Sequence, residues 1–521
     1  MSRSGEHEES IPVSAVASGT PGGEGASPDE DDVAAVLSSS EAGGAAIRGG
    51  AIRIVGYTVN AALGALAAAF LFRHLGTKDV GTYAAAMSMA AIVGGLSDLG
   101  LTALGLRELS VRRPDGRVLL MANLLGLRVA LTLLGIAGSV LFSVLVGYKP
   151  VLVAGVALAG AGLMVQTVQG TLALSLMSRL RLGLLTATEI GRQALTTAAT
   201  IALVAAGAGL LSFIGLAIPV GAAVLLLTAW LVRSEVPLLP RFDRAEWGLL
   251  VRAVLPYSVA AAISVIYFRL SVIVVSLTSG ATQLSYFGAS FRILEVLILI
   301  PGLMVTGVFP IFARSALDDQ ERLAYAVSRV FVVSLIVGVG FALLIAIGAP
   351  IAIRIVGGAE FAKATGVLRI QGVGLGGSFV SSVWGLTLLS LRRNRALVIV
   401  NVAGLLVGTV LVVLLASSHG AQGAALGTAI TEVLLALFIP LLLRRTDPHI
   451  VPGMSAVPRV LLAGAVAASV VLIPGIPTLA ALVLAGAIYL VLLLVSRAIP
   501  EEVFVELRSL RALARREPRV S

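Results

Sequence analysis

Uncharged apolar runs of about 20 residues or more, each long enough to cross a bilayer at about 1.5 Å per residue, recur along the chain from Arg53 to about Val495. The first lies between Arg53 and Arg73 and contains no charged residue. Short arginine-bearing breaks separate the runs, and the pattern predicts about fourteen membrane-spanning helices. Within lipid every backbone N–H and C=O must be paired inside the structure, which leaves helices or a closed barrel. Runs of this length without alternating polarity exclude the barrel, so the expected fold class is an all-α polytopic membrane protein.

The same pattern divides the chain. Residues 1–46 are rich in Ser, Gly, Glu and Asp, contain no aromatic residue, and predict a disordered acidic tail without the basic and apolar regions of a signal peptide. Residues 47–235 predict an N-terminal six-helix bundle and 253–445 a C-terminal one, joined by an interfacial linker over 236–252. Two additional transmembrane helices are expected over 446–497, and 498–521 reads as a basic amphipathic tail. A faint repeat supports paired bundles. Gly76, Val80, Tyr83 and Ala86 follow the first span at the spacing with which Gly280, Leu284, Phe287 and Ser290 follow the seventh.

Charge adds orientation. Arginines gather in alternate connections, among them Arg107, Arg112, Arg113 and Arg117, then Arg179 and Arg181, then Arg392, Arg393 and Arg395. The connections at 279–283 and near Pro477 carry none. By the positive-inside rule both termini are then cytoplasmic, in the cytoplasmic membrane. The formal net charge of +10 sits largely in these loops, so it indicates topology and contact with anionic membrane lipids, not nucleic acid.

Composition agrees with a lipid solvent: 58% of the 521 residues are hydrophobic, 13% are charged, and the mean hydropathy is +1.00. Cysteine is absent and the four histidines, His7, His74, His419 and His449, lie in the tail or near span ends. Thiol chemistry is excluded, and no metal, cofactor or catalytic residue is expected. A membrane glycosyltransferase or polymerase would need a sizeable extracytoplasmic domain, for which the connections are too short; the chain reads as a non-enzyme.

Several phrases together resemble the polysaccharide-transporter branch, the O-antigen and teichoic acid flippases, of the multidrug/oligosaccharidyl-lipid/polysaccharide exporter superfamily. They are the stretch from Arg73 through Leu75, Gly76 and Gly81 to Tyr83, then Asp98-Leu99-Gly100-Leu101 followed by Arg107 and Glu108, and Leu255-Pro256. Tyr267-Phe268-Arg269, Phe287 through Arg292, Glu295, Ile300-Pro301 and Phe309-Pro310 complete the series over roughly residues 47–445. The resemblance implies two six-helix bundles around a central cavity and alternating-access export of lipid-linked oligosaccharides in cell-surface polysaccharide biosynthesis. It also implies a glycan polymerase or glycosyltransferases as candidate partners. One departure is Ser271, where that branch often carries an Asp; any ion-coupling role of that acid is in doubt here.

Charged groups inside spans are costly and need a partner or a purpose. Arg269 lies ten residues before Ser279 and Arg292 nine after Gln283, so an antiparallel hairpin sets both at similar depth. Glu295 shares a helix face with Arg292 and can pair with one of them. Two cations against one anion leave a surplus suited to the undecaprenyl-pyrophosphate that the resemblance implies as carrier. The bland alternative is a helix-locking pair with the second arginine snorkelling outward.

Arg128 lines a cavity if central in its long span; snorkelling at the inner interface is favoured, because residues 129–147 could cross alone. Gln166 and Gln169 share one face of the fourth span, and Asn60, Asn123, Gln371 and Asn401 sit in or near others, to bind sugar hydroxyls or neighbouring helices. Glu189 and Arg192 read as an internal pair, with a cytoplasmic gate as the sharper alternative. Glu432 is a lone intramembrane acid, a coupling candidate.

Two other functions remain open on the residues. A cation-coupled multidrug antiporter would want an acidic cluster in the N-terminal bundle, yet the first span contains no acid. A non-transporting membrane scaffold for glycan synthesis is the other.

Overall fold

A computed structural model describes residues 40–112, 114–179, 181–234 and 236–499. The expected disordered tail lies outside the described residues as far as residue 39, and the amphipathic tail lies outside them from residue 500. Contacts divide the chain between Ile54 and Val55, and both helical bundles belong to the part from Val55 onward.

Helix α1 (Ser40–Asp98) consists of two limbs. Gly76 leaves helical conformation at φ 63°, where a side chain would be strained. The Phe72 and Tyr83 rings come to 6.4 Å between centroids, whereas a straight helix would set the two residues about 16 Å apart. After it come α2 (Leu101–Val111), α3 (Pro114–Leu145), α4 (Pro150–Ser178), α5 (Leu182–Ala205), α6 (Leu210–Gly215) and α7 (Ala217–Val232). The second half begins with α8 (Arg244–Thr278), whose first turn is capped by the Asp243 carboxylate accepting from the Ala245 N–H at 2.9 Å.

Then follow α9 (Ala281–Leu297), α10 (Leu299–Asp318), α11 (Gln320–Gly357), α12 (Ala364–Ser390) and α13 (Asn394–Thr446). Helix α13 reverses at Gly420, φ 56°, and its limbs press so closely that a Cβ on Gly427 would stand 2.9 Å from the Val412 backbone nitrogen. Helices α14 (Ala456–Ala468) and α15 (Thr478–Val495) end the described chain.

Among the described residues nine helical stretches are long and apolar enough to cross a membrane. Two of them fold back, at Gly76 and Gly420, and α5, the apolar part of α8 and α14 supply further limbs, so the total is about fourteen. The all-α, two-bundle reading of the sequence is what the described residues adopt. Helices α3, α4 and α7 interlock in the N-terminal bundle, and α8, α11, α12 and α13 in the C-terminal one. The last two helices lean on α11, where the Tyr489 hydroxyl donates to the Ile336 carbonyl at 2.8 Å.

Small residues bring the bundles together along the second limb of α1. The Gly81 N–H donates to the Ser285 hydroxyl at 2.8 Å, and a Cβ on Gly288 would stand 2.7 Å from that of Ala84. This seam adjoins the arginine-poor turns at Gly76 and Gly280.

At the arginine-rich face the linker docks on α3. The Arg241 N–H donates to the Ala122 carbonyl at 2.9 Å and the Asp243 N–H to Asn123 Oδ1 at 3.2 Å. Asn123 is therefore a buried packing residue, not a sugar ligand. Beside it Arg112 bridges Glu108 at 3.1 Å and Glu246 at 2.9 Å, and the hydrogen bond to Glu246 holds its guanidinium above its ordinary pKa.

Candidate functional site

A cavity of about 320 Å³ opens between the bundles, lined from α1, α4, α5 and α7 on one side and from α8 and α9 on the other. Its C-terminal wall carries the charged trio. Arg269 and Arg292 both bond Glu295, Arg269 through Oε1 and Arg292 through Oε2 at 2.8 Å. The expectation of one pair was too modest: each carboxylate oxygen serves a different arginine. Within this shared bridge the arginines differ. Arg269 is flanked by the Phe268 and Phe291 rings, 5.6 and 5.5 Å from their centroids, and is largely enclosed. The Arg292 side chain keeps 43% of its surface accessible, facing the cavity.

The N-terminal wall is largely apolar but carries a polar patch, and among the described residues it holds no carboxylate. Gln166 and Gln169 from α4 line it, as do Arg192, Gln193, Thr196 and Thr200 from α5. Gln169 donates to the Thr228 hydroxyl at 3.2 Å. Gly64 marks where the walls meet: a Cβ there would lie 3.7 Å from Arg292 Nη2 and 3.8 Å from Gln193 Nε2. Among the described residues the cavity is thus lined by three arginines against one glutamate, itself already bridged to two of them.

Three expected site residues lie elsewhere. Arg128 neither lines this cavity nor snorkels, which corrects both readings of it. It is 8% exposed, paired with Asp98, and donates to Thr102 at 3.1 Å and Thr171 at 3.2 Å. Its counter-ion ends α1, and no local spacing connects the two, so the sequence left Arg128 without a partner. Glu189 is exposed outside the cavity while Arg192 lines it, and among the described residues no ion pair joins them, against the expected internal pair.

Glu432 is not lone. It accepts from the Tyr267 hydroxyl at 2.8 Å and from Ser381 at 3.4 Å. It borders a separate cavity of about 630 Å³ with Asn401, and a space of about 40 Å³ with Ser271 and Gln371. Among the described residues the buried Gln371 amide has no hydrogen-bond partner. Among the described residues no cluster of His, Asp and Glu is arranged to hold a metal ion.

Sequence reasoning missed Tyr83, Gln193, Thr196 and Thr200. A signal existed for α5: Arg192, Thr196 and Thr200 recur every four residues and so share one face of the helix.

A family model described as "Polysaccharide biosynthesis protein" matches residues 70–365, more than half of the chain. No curated protein matches it in sequence. Among solved structures it is similar to the lipid II flippase MurJ in an inward closed conformation, with TM-score 0.67 and 14% identity over 86% of this chain and 98% of that one. It is also similar to a MATE family multidrug resistance transporter of the MOP superfamily in an inward-facing conformation. There the TM-score is 0.59 and the identity 15%, over 76% of this chain and 98% of that one. A MOP superfamily transporter from Pyrococcus furiosus follows at TM-score 0.53 and 16% identity, over 78% and 96%. At such identities the likeness establishes the fold alone.

Proposed function

Because the chain belongs to the polysaccharide biosynthesis protein family, we propose that it is a flippase that exports a lipid-linked oligosaccharide across the cytoplasmic membrane by alternating access. The carrier in this reading is undecaprenyl pyrophosphate. The observation that carries it is the trio in the central cavity: Arg269 and Arg292 on one glutamate, with Arg192 on the wall opposite. Glu295 and the flanking rings fix Arg269 as a background charge, while Arg292 presents donors to phosphoryl oxygens in the planar geometry guanidinium offers. The lipid tail stays in the bilayer and only the headgroup crosses, so no bond is made or broken.

The arginine-rich face is cytoplasmic in this reading and both termini lie there, with the loops on anionic lipid. The Gly81–Ser285 seam is then the extracytoplasmic closure, which must part for release. Arg192, with Glu189 nearby in sequence, gates the cytoplasmic entrance, and Glu432 on Tyr267 is the coupling group. Glycosyltransferases that complete the glycan and a polymerase that receives it are the protein partners.

The MATE neighbours share the fold, so a cation-coupled multidrug antiporter is the competing reading. Against it stands the cavity's positive surplus, which repels organic cations.

The test is transbilayer movement of a fluorescent polyprenyl-pyrophosphate oligosaccharide in proteoliposomes, comparing wild type with Arg269→Ala plus Arg292→Ala at matched insertion. Movement by wild type, lost in the variant, is expected. Equal movement by both would make the arginines structural, and movement by neither would favour a drug substrate or a scaffold.

A further inference from the structure

We propose that the wall formed by α4 and α5 is a sugar-reading subsite, in which the free amides of Gln166 and Gln193 and the hydroxyls of Thr196 and Thr200 recognise an uncharged sugar next to the pyrophosphate. This rests on the flippase reading and extends it from the anchor of the substrate to its specificity.

Among the described residues Glu295 is the one carboxylate lining the cavity, and both its oxygens are engaged by arginines. Acidic side chains, the strongest acceptors for sugar hydroxyls, are therefore not free here. Neutral groups take their place. The Gln166 and Gln193 side chains line the cavity, and among the described residues no protein hydrogen bond holds them. A primary amide sets a donor beside an acceptor, the arrangement that two adjacent hydroxyls on a sugar ring match.

The threonines complement them. Thr196 donates its hydroxyl proton to the Arg192 carbonyl at 2.8 Å and Thr200 to the Thr196 carbonyl at 2.8 Å. With their protons spent on the helix, both oxygens meet a ligand as acceptors.

Gly64 fixes where the subsite begins. Arg292 Nη2 and Gln193 Nε2 both lie within 3.8 Å of the point where its Cβ would stand, so a phosphate held by Arg292 delivers the first sugar against Gln193. The Tyr83 ring, which lines the same cavity, supplies an apolar surface for the C–H face of the ring. An occupant without hydroxyls leaves the desolvated amides unmet, and that penalty gives discrimination. The pyrophosphate then rests on the C-terminal bundle and the sugar on the N-terminal one, so the substrate spans the two parts that move.

The experiment measures binding of two probes to the full chain in lipid nanodiscs: a short polyprenyl pyrophosphate, and the same lipid carrying one N-acetylglucosamine. Wild type is expected to favour the sugar-bearing probe by about fivefold for each hydrogen bond made. Gln166→Leu plus Gln193→Leu should erase that preference and leave affinity for the bare lipid unchanged, with Thr196→Val removing part of it alone. Arg269→Ala plus Arg292→Ala should weaken both probes equally. An unaltered melting temperature separates these effects from misfolding, and the single variant Gln166→Leu serves where the pair folds poorly.

Equal binding of both probes by wild type, a preference that survives the amide substitutions, or loss of both probes in the amide variant would each overturn the subsite while leaving the flippase reading in place. Wild type that binds neither probe would overturn both.

Discussion

The Gly81 N–H donates to the Ser285 hydroxyl across 2.8 Å, joining the N-terminal bundle to the C-terminal one through a residue with no side chain. Any Cβ at Gly81 would stand 2.9 Å from the Ala281 carbonyl oxygen. The seam depends on that closeness. Gly81→Ala should therefore push the second limb of α1 away from α9, destabilise the protein by about 2 kcal/mol and disturb transport. Unchanged stability and transport would show that the seam tolerates a side chain at this position.

Asp98 and Arg128 form a different kind of contact, inside the N-terminal bundle. Asp98→Ala would strand a buried guanidinium and should cost about 3 kcal/mol, read as a lowered unfolding midpoint in detergent. Adding Arg128→Met should recover most of it, since an apolar side chain needs no counter-ion. A double variant no more stable than Asp98→Ala would contradict the pairing.

Gly126 lies beneath the linker, where a Cβ would come 2.0 Å from the Arg241 carbonyl oxygen and 3.3 Å from the Trp247 ring. Gly126→Ala should therefore displace the linker and destabilise the protein by about 2 kcal/mol. Trp247 emission, isolated by replacing Trp230 and Trp384 with Phe, should move to longer wavelength as the indole becomes wetter. Unchanged emission and stability would mean that the linker is not held on α3.

Glu432→Gln keeps the shape of the side chain and a hydrogen-bond acceptor for Tyr267 but removes the charge. If Glu432 couples transport, an imposed proton or sodium gradient should stop stimulating the variant, while binding of the lipid pyrophosphate stays as in wild type. Gradient stimulation that persists would remove Glu432 from the mechanism.

Glu295→Gln removes the anion that bridges Arg269 and Arg292. The expected result is tighter retention of polyprenyl pyrophosphate with slower transport, because the cavity's cationic surplus grows and release suffers. Weaker binding with normal transport would show that Glu295 positions the arginines more than it tempers them.

Much of this was legible in the chain itself. Lipid admits few backbone solutions, so uncharged runs between arginine-bearing breaks determined an all-α membrane protein with about fourteen limbs. Arg269, Arg292 and Glu295 were also readable, because one hairpin sets their depth and an i, i+3 spacing sets their face. Gln166 and Gln169 followed from the same helical period.

The tertiary structure alone decided the rest, through contacts that no local period encodes. Asp98 meets Arg128 from another helix, so an arginine expected at the interface became a buried structural charge. Arg192 and Glu189 parted because one borders the cavity and the other does not. Tyr267 reached Glu432 across 165 residues of chain. Helical periodicity fixes which residues share a face, whereas the neighbour of that face depends on how the bundles assemble, and there the cavity, its arginines and its free amides were brought together.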